Sequence, residues 1–484
     1  MHELDARLTV DQRVVDLHVQ REAVALEAVD QGDLPARPVP PFNRVPVLIR
    51  AGLPEWREVR DFDMRWHVQQ VTLPPPGTDA QLHELAAQLH APMLERDRPG
   101  WQVFVIDGLQ RNRFAMFIKV HHALVDGESG IELVHRSLSH SARDRRIRTV
   151  VETTLPAPAQ HERGELLPRL EHELDKAARA LVSVGLGSQR LLQESLAGLR
   201  GFSPEEIRPF TAPLTPMNEP IRSTRAIAHT VLPLPAMKAV ARRWGATLND
   251  VALCVLDAGM NRYLRSLGRA PERPLVAICP VSLQQADAKR ATTQVSVFWT
   301  PLGTPSAAVG RRMRELIANT RAAKERIRSL PKDVAYAYAV LTFAMGEALA
   351  LAPRGALDFF LPSNVLISNV RGPDESLYLG GARLEALCPV STLIAGMGLN
   401  ITFMSYAGQV VIGFTCNASA LPHADRLALY TREAFAALER QPRKARGASR
   451  PAAAGAEPPP RAHRRSPAGR RPDRRPSRRA QRRP

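Results

Sequence analysis

Two adjacent histidines, followed after three residues by an aspartate and a glycine, stand in the segment Val120-His121-His122-Ala123-Leu124-Val125-Asp126-Gly127. These are the residues of the chain best suited to moving a proton. Imidazole titrates near neutrality, so a histidine held in a cleft can take the proton of an attacking hydroxyl as a general base. Nowhere else do two of the fourteen histidines stand side by side. No metal is expected here, because neighbouring side chains at a strand end point to opposite faces, which is poor geometry for one ion.

The elements around the pair are legible from periodicity. Phe114, Met116, Phe117, Ile118 and Val120 form a strongly apolar run that predicts a buried strand, while Ile131, Val134 and Leu138 recur at helical spacing after the turn at Asp126-Gly127. The pair therefore opens a strand-to-helix loop. Asp126, beside the turn glycine Gly127, is expected to fix that loop by salt bridge or backbone hydrogen bonds. A second polar pair, Asn249-Asp250, follows Thr247 and precedes an apolar run. Thr247 and Asp250 have the spacing of a capping box, which makes Asp250 a helix cap and leaves the Asn249 amide free. Ser368-Asn369-Val370-Arg371-Gly372-Pro373 follows the apolar Val365-Leu366-Ile367 and reads as a strand end with a turn.

The spacing His-His-x-x-x-Asp-Gly resembles that of the chloramphenicol acetyltransferase-like acyltransferases, which use coenzyme A thioesters or carrier-bound acyl groups. Further segments follow in order: Arg98-Pro99-Gly100-Trp101, Thr247-Leu248-Asn249-Asp250-Val251, Pro280-Val281-Ser282-Leu283, Ile367 to Pro373, and Gly398-Leu399-Asn400-Ile401-Thr402. With these the chain resembles the bacterial wax ester synthase/diacylglycerol acyltransferase family, from about Phe42 to about Arg440, and the ordered set is more specific than any single motif. Counted from His121 the residues also spell the His-x4-Asp of glycerophosphate-type acyltransferases, but the chain lacks their Phe-x-Glu-Gly companion.

The resemblance implies an α/β fold of two chloramphenicol acetyltransferase-like domains with mixed sheets and an active-site channel between them. It implies that His122 is the general base, with His121 shaping the site. It places Asn249, Asp250, Ser368 and Asn369 near substrate, with Asn249 expected to position substrate or oxyanion. The implied reaction esterifies diacylglycerol, or a long-chain alcohol, with acyl-CoA as co-substrate; the scheme needs neither acyl-enzyme, metal nor redox cofactor. Two alternatives remain: a non-catalytic homologue that binds acyl chains or neutral-lipid surfaces, and an enzyme of the same chemistry acting on a specialised-metabolite hydroxyl or amine.

Two departures from the family pattern stand out. The family's short first strand has no counterpart read in residues 1–40, where Val14, Val15, Leu17, Val19, Val24, Leu26 and Val29 give a patchily amphipathic stretch. Its loss would leave an unpaired sheet edge and one open channel wall. Gly100 stands where the family usually has leucine, and an unfilled leucine-sized hole costs about 2–5 kcal/mol.

At 484 residues the chain has room for two domains. The expected divisions are a divergent segment at 1–41, an N-terminal domain at 42–141, a helical connector at 142–225, a C-terminal domain at 226–440 and an Arg/Pro/Ala-rich tail at 441–484. Strands are predicted at Ala226–Leu234, Leu275–Val281, Val295–Trp299, Val365–Val370, Leu399–Ser405 and Gln409–Thr415, interleaved with helices. Cys254, Cys279, Cys388 and Cys416 lie in apolar runs without paired spacing, as buried thiols in a reducing compartment would. The net charge of +18 is concentrated: the tail holds fourteen arginines and one lysine against one aspartate and one glutamate, so +13 resides there and +5 in the body. Such a tail is expected to be disordered, and, if it has a role, to favour anionic lipid over nucleic acid. Residues 335–352 are apolar but interrupted by Glu347, which argues against a membrane span and for a buried or interfacial helix. The expected location is cytoplasmic, peripherally on the inner face of the membrane or on lipid inclusions.

Overall fold

Strong β-formers in short runs, punctuated by helices with capped ends, build two six-stranded mixed sheets. The computed structural model describes residues 12–20, 38–40, 42–48, 54–59, 63–121, 124–125, 127–147, 150–153, 212–282, 295–328 and 363–441. His122, Asp126, most of the expected connector, residues 335–352 and the tail beyond Gln441 lie outside them.

The first sheet combines β1 (Gln12–Gln20), β4 (Val68–Thr72), β5 (Trp101–Leu109), β6 (Arg113–His121), β11 (Tyr378–Leu379) and β12 (Ala382–Ser391), in the order β11-β12-β1-β6-β5-β4. Strand β1 corrects the expectation of a missing first strand. It runs antiparallel to both neighbours, with Gln12 opposite His121 and Arg13 opposite both Val120 and Ser391, so no edge is left open there. The physical reason is the alternation Val15-Asp16-Leu17-His18-Val19, a period-two pattern hidden inside a stretch that also looked loosely helical. The expected boundary at 226 does not separate the sheets either, because β12, from the C-terminal range, completes the first sheet beside β1.

The second sheet follows the strands read from sequence closely: β7 (Arg225–Pro233), β8 (Val276–Ser282), β9 (Val295–Pro301), β10 (Val365–Arg371), β13 (Leu399–Tyr406) and β14 (Gln409–Asn417), in the order β7-β14-β13-β10-β8-β9. A small hairpin, β2 (Arg44–Leu48) with β3 (Pro54–Glu58), stands apart.

Helices α1 (Met64–His67), α2 (Asp79–His90) and α3 (Gly127–Ser137) belong to the first half; α4 (Leu234–Trp244), α5 (Leu248–Ser266), α6 (Val309–Arg328) and α7 (Ala424–Glu439) cover the second sheet. Helix α5 is the centre of that layer. It buries Val251 to Leu256 without a break, which marks a helix enclosed on all sides rather than an amphipathic surface one. Its expected capping box is formed: the Thr247 amide donates to Asp250 Oδ2 (2.8 Å) and the Asp250 amide to Thr247 Oγ1 (3.2 Å). All four cysteines are buried thiols, with no disulfide among them. No helix among the described residues is long and apolar enough to cross a membrane.

Two buried histidines make the first half acid-sensitive. Desolvation holds His67 and His90 down from 6.5 to about 4, and the charge of Lys119 adds to the effect at His90. Between those values the unfolded chain takes up protons that the folded chain refuses, so stability is fully present above pH 6.5 and is lost as the pH falls toward 4, by about 3 kcal/mol for each residue. Denaturant midpoints measured from pH 7 to pH 4 should fall, and His90→Leu should flatten the slope; an undiminished slope in that variant refutes the assignment.

Candidate active site

The strand end that carries the histidine pair is held by the Pro99-Gly100-Trp101 segment beside it. Trp101, at the start of β5, is fully buried, donates from its indole nitrogen to the Phe42 carbonyl (2.7 Å), and stacks on His67 with ring centroids 4.3 Å apart. His67 Nδ1 lies 2.7 Å from the Trp101 carbonyl oxygen. Trp101 pairs with Val120, so this aromatic anchor fixes the last residues of β6. The His121 amide donates to the Gly100 carbonyl (2.7 Å), and the His121 carbonyl accepts from the Leu124 amide (2.9 Å), which turns the chain away from the sheet.

Gly100 is therefore a point of close approach rather than a hole. A Cβ built on it would lie 2.8 Å from His121 Cβ, closer than real side chains come. Gly100→Ala is expected to displace His121, lowering stability by about 1–3 kcal/mol and activity with it. A leucine-sized defect predicts the opposite sign, with Gly100→Leu raising the denaturant midpoint, so that measurement separates the two.

Beyond the turn, α3 begins at Gly127, and a small, mostly apolar cleft lies against it. Its walls come from both sheets. Ile118 and Val120 of β6 and Gly130, Ile131 and Val134 of α3 form one side. Val390 and Ser391 of β12, Val370 of β10, and Thr402 and Met404 of β13 form the other. Strand alternation puts Ile118 and Val120 toward the cleft and turns Lys119 and His121 away from it. Lys119 is buried on that far side, donating to the carbonyls of Leu89 (3.1 Å) and Pro92, and desolvation lowers its pKa to about 8.

The two sheets meet at the cleft because Gly413 on β14 has no side chain: a Cβ there would fall 1.9 Å from the Pro389 carbonyl oxygen. Next to this contact, Ser391 Oγ and Thr402 Oγ1 are 2.8 Å apart, and the Ser391 amide donates to Thr415 Oγ1 (3.2 Å). Ser391 and Thr402 are polar positions in an otherwise apolar wall, able to offer a hydroxyl to a bound carbonyl or alcohol. Sequence reasoning did not single them out, although Thr402 sits in a quoted motif; the only signal for Ser391 was a hydroxyl closing the apolar run Leu387 to Val390.

The sequence-named residues are not all brought together. Gly127 lines the cleft, as does Val370 next to Ser368 and Asn369. Ser368 is buried opposite Thr402 in the sheet, whereas Asn369 is exposed on the other face. Asp250 is committed to its cap and accepts from Thr320 Oγ1 (2.7 Å). Asn249 is half-buried in the first turn of α5, and neither it nor Asp250 lines the cleft. His122 and Asp126 fall outside the described residues.

Two mixed sheets layered with helices, with an apolar cleft lined by the last residues of β6 and by α3, define a layered α/β protein. Comparison with known proteins resolves the class: residues 17–252 match the wax ester synthase/diacylglycerol acyltransferase catalytic domain, and residues 292–439 match the C-terminal domain of the same group. The chain belongs to the wax ester synthase/diacylglycerol acyltransferase family. It is 33% identical over 419 residues to the Mycobacterium tuberculosis protein "Probable diacyglycerol O-acyltransferase Tgs4", covering 82% of this chain and 85% of that one. It is 30% identical over 410 residues to the O-acyltransferase WSD of Acinetobacter baylyi, covering 83% and 86%. The solved wax ester synthase/diacylglycerol acyltransferase from Marinobacter aquaeolei superposes with a TM-score of 0.68 at 27% identity, over 88% of this chain and 94% of that one.

Proposed function

We propose that this chain is an acyl-CoA-dependent O-acyltransferase that esterifies diacylglycerol to triacylglycerol, with long-chain alcohols as the other acceptors. The observation that carries the reading is the apolar cleft against the helix that follows the histidine motif, whose lining of aliphatic side chains with the Ser391 and Thr402 hydroxyls suits an acyl group. Family membership supports it, since the named relatives are O-acyltransferases.

The chemistry needs one base. The acceptor hydroxyl gives its proton to His122 as its oxygen bonds to the thioester carbonyl carbon. The tetrahedral centre then collapses, the carbon–sulfur bond breaks, and the proton passes from His122 to the departing thiolate, leaving ester and free coenzyme A. His121 supports the loop from the face turned away from the cleft, and Asp126 braces the turn. The Ser391 and Thr402 hydroxyls orient the acyl carbonyl or the acceptor. The finer architecture belongs to the same proposal: two chloramphenicol acetyltransferase-like domains, with the channel between them. So does the location, peripheral on the inner membrane face or on lipid inclusions, where diacylglycerol resides. The paired β1 supports an active enzyme over a binding-only homologue, because the sheet beside His121 is closed.

Purified protein given a long-chain acyl-CoA and dispersed diacylglycerol should release free thiol and form triacylglycerol in equal amounts. Binding of acyl-CoA without turnover on diacylglycerol or long-chain alcohols would overturn the enzymatic reading.

A further inference from the structure

A group of side chains remote from this chemistry lies at the far end of α3. His135 sits in the last turn of that helix, His140 follows shortly after it, and Glu375 belongs to the connection between β10 and β11. Their ligand atoms all lie within 4.8 Å of one another. The two imidazole rings meet edge to face with centroids 4.9 Å apart, and His140 Nδ1 is 3.4 Å from Glu375 Oε1. The neighbouring Asp374 is engaged by Arg371 at 2.8 Å, so the Glu375 carboxylate is the acid presented to the histidines.

The backbone holds these segments in register independently of the side chains. Ser139 and Tyr378 exchange two backbone hydrogen bonds, each 2.8 Å, one residue before His140 and three after Glu375. Buried Leu138, Leu377 and Leu379 pack beneath that bridge. The ligand-bearing parts are exposed, 47% for His140 and 69% for Glu375, and can rotate without disturbing the core.

We propose that His135, His140 and Glu375 form a surface site for one zinc-class divalent cation, which clips the cleft-lining helix α3 to the β10–β11 connection. Two imidazole nitrogens and one carboxylate oxygen are the donor set that zinc accepts with a fourth position open to water. Nitrogen donors disfavour magnesium and calcium, which take oxygen ligands. Metal–ligand bonds of about 2.0–2.2 Å in a tetrahedron require donors about 3.3 Å apart, so the three groups close by roughly 1.5 Å, within reach of side-chain torsions. The consequence concerns α3, whose first residue ends the histidine motif and whose side chains line the cleft. Tying down its C-terminal turn restricts opening of that wall.

The test uses the full chain, stripped of metal and titrated with zinc chloride against a chromophoric chelator. Wild-type protein is expected to bind one equivalent that is absent from the His140→Ala/Glu375→Gln double variant, with His135→Ala and His140→Ala each weakening it by at least about tenfold. Hydrogen exchange over residues 127–137 should slow on adding zinc to wild type and not to the double variant. The same stoichiometry and affinity in wild type and variants overturns the site, and variant-sensitive binding without slowed exchange overturns the clip.

Discussion

Replacing His122 with alanine is expected to lower kcat for acyl transfer by about 10²–10⁴, the usual worth of a positioned general base, while the protein stays folded. An aliphatic hydroxyl is a poor nucleophile at neutral pH, whereas the thioester is already an activated donor, so removal of the proton is the step at which a base contributes most. The loss should fall on kcat rather than on KM for acyl-CoA, because the cleft walls that hold the acyl chain are untouched. His121→Ala tests the division of labour within the pair. His121 lies on the face of β6 turned away from the cleft and is packed against Gly100, so its removal should cost stability and a smaller part of the rate. Equal kcat losses from the two substitutions, with unchanged stability, would contradict the assignment.

Replacing Arg312 with alanine is expected to destabilise the second half of the fold by about 3–5 kcal/mol, read as a shift in the denaturant midpoint. Arg312 and Asp257 form an ion pair in which both side chains are almost wholly buried, 3% and 0% exposed. The guanidinium also donates to the carbonyls of Thr304 (3.0 Å) and Pro305 (3.1 Å), and Asp257 accepts from the Gly303 amide (2.9 Å) and from Asn261 (2.8 Å). Together they fasten the loop before α6 to the middle of α5. The large effect comes from what is left behind, a carboxylate buried without its cation, so Arg312→Ala combined with Asp257→Ala should cost less than the two single changes added together. A single-variant effect below about 1 kcal/mol would show that the pair is not desolvated as its burial requires.

Local patterns carried much of this fold on their face. The switch from a strand period in Phe114 to Val120 to a helical period in Ile131, Val134 and Leu138 located β6, the turn and α3, and Thr247 with Asp250 announced the cap of α5. The strands of the second sheet were legible because each is a short apolar run of its own. Long-range pairing was not legible. Nothing local to Ala382–Ser391 says that it joins β1 some 370 residues earlier, since a ladder is written in the meeting of two segments rather than in either alone. The same limit hid the Ser391–Thr402 pair and recast Gly100, which sequence reads as a lost leucine and the fold uses as a close approach to His121. At the site itself, the family resemblance placed Asn369 and Asp250 near substrate, but strand alternation turns the first away from the cleft and the helix cap already read from Thr247 and Asp250 occupies the second.

Direct transfer from thioester to alcohol is the central claim, and a single-turnover measurement tests it most directly. Protein in excess is incubated with a long-chain acyl-CoA labelled in the acyl group, without acceptor, and acid-quenched before and after diacylglycerol is added. The account predicts no label on the protein and no thiol release beforehand, then both thiol and labelled triacylglycerol once the alcohol is present. Stoichiometric label on the protein, or thiol released at the same rate without acceptor, would contradict it.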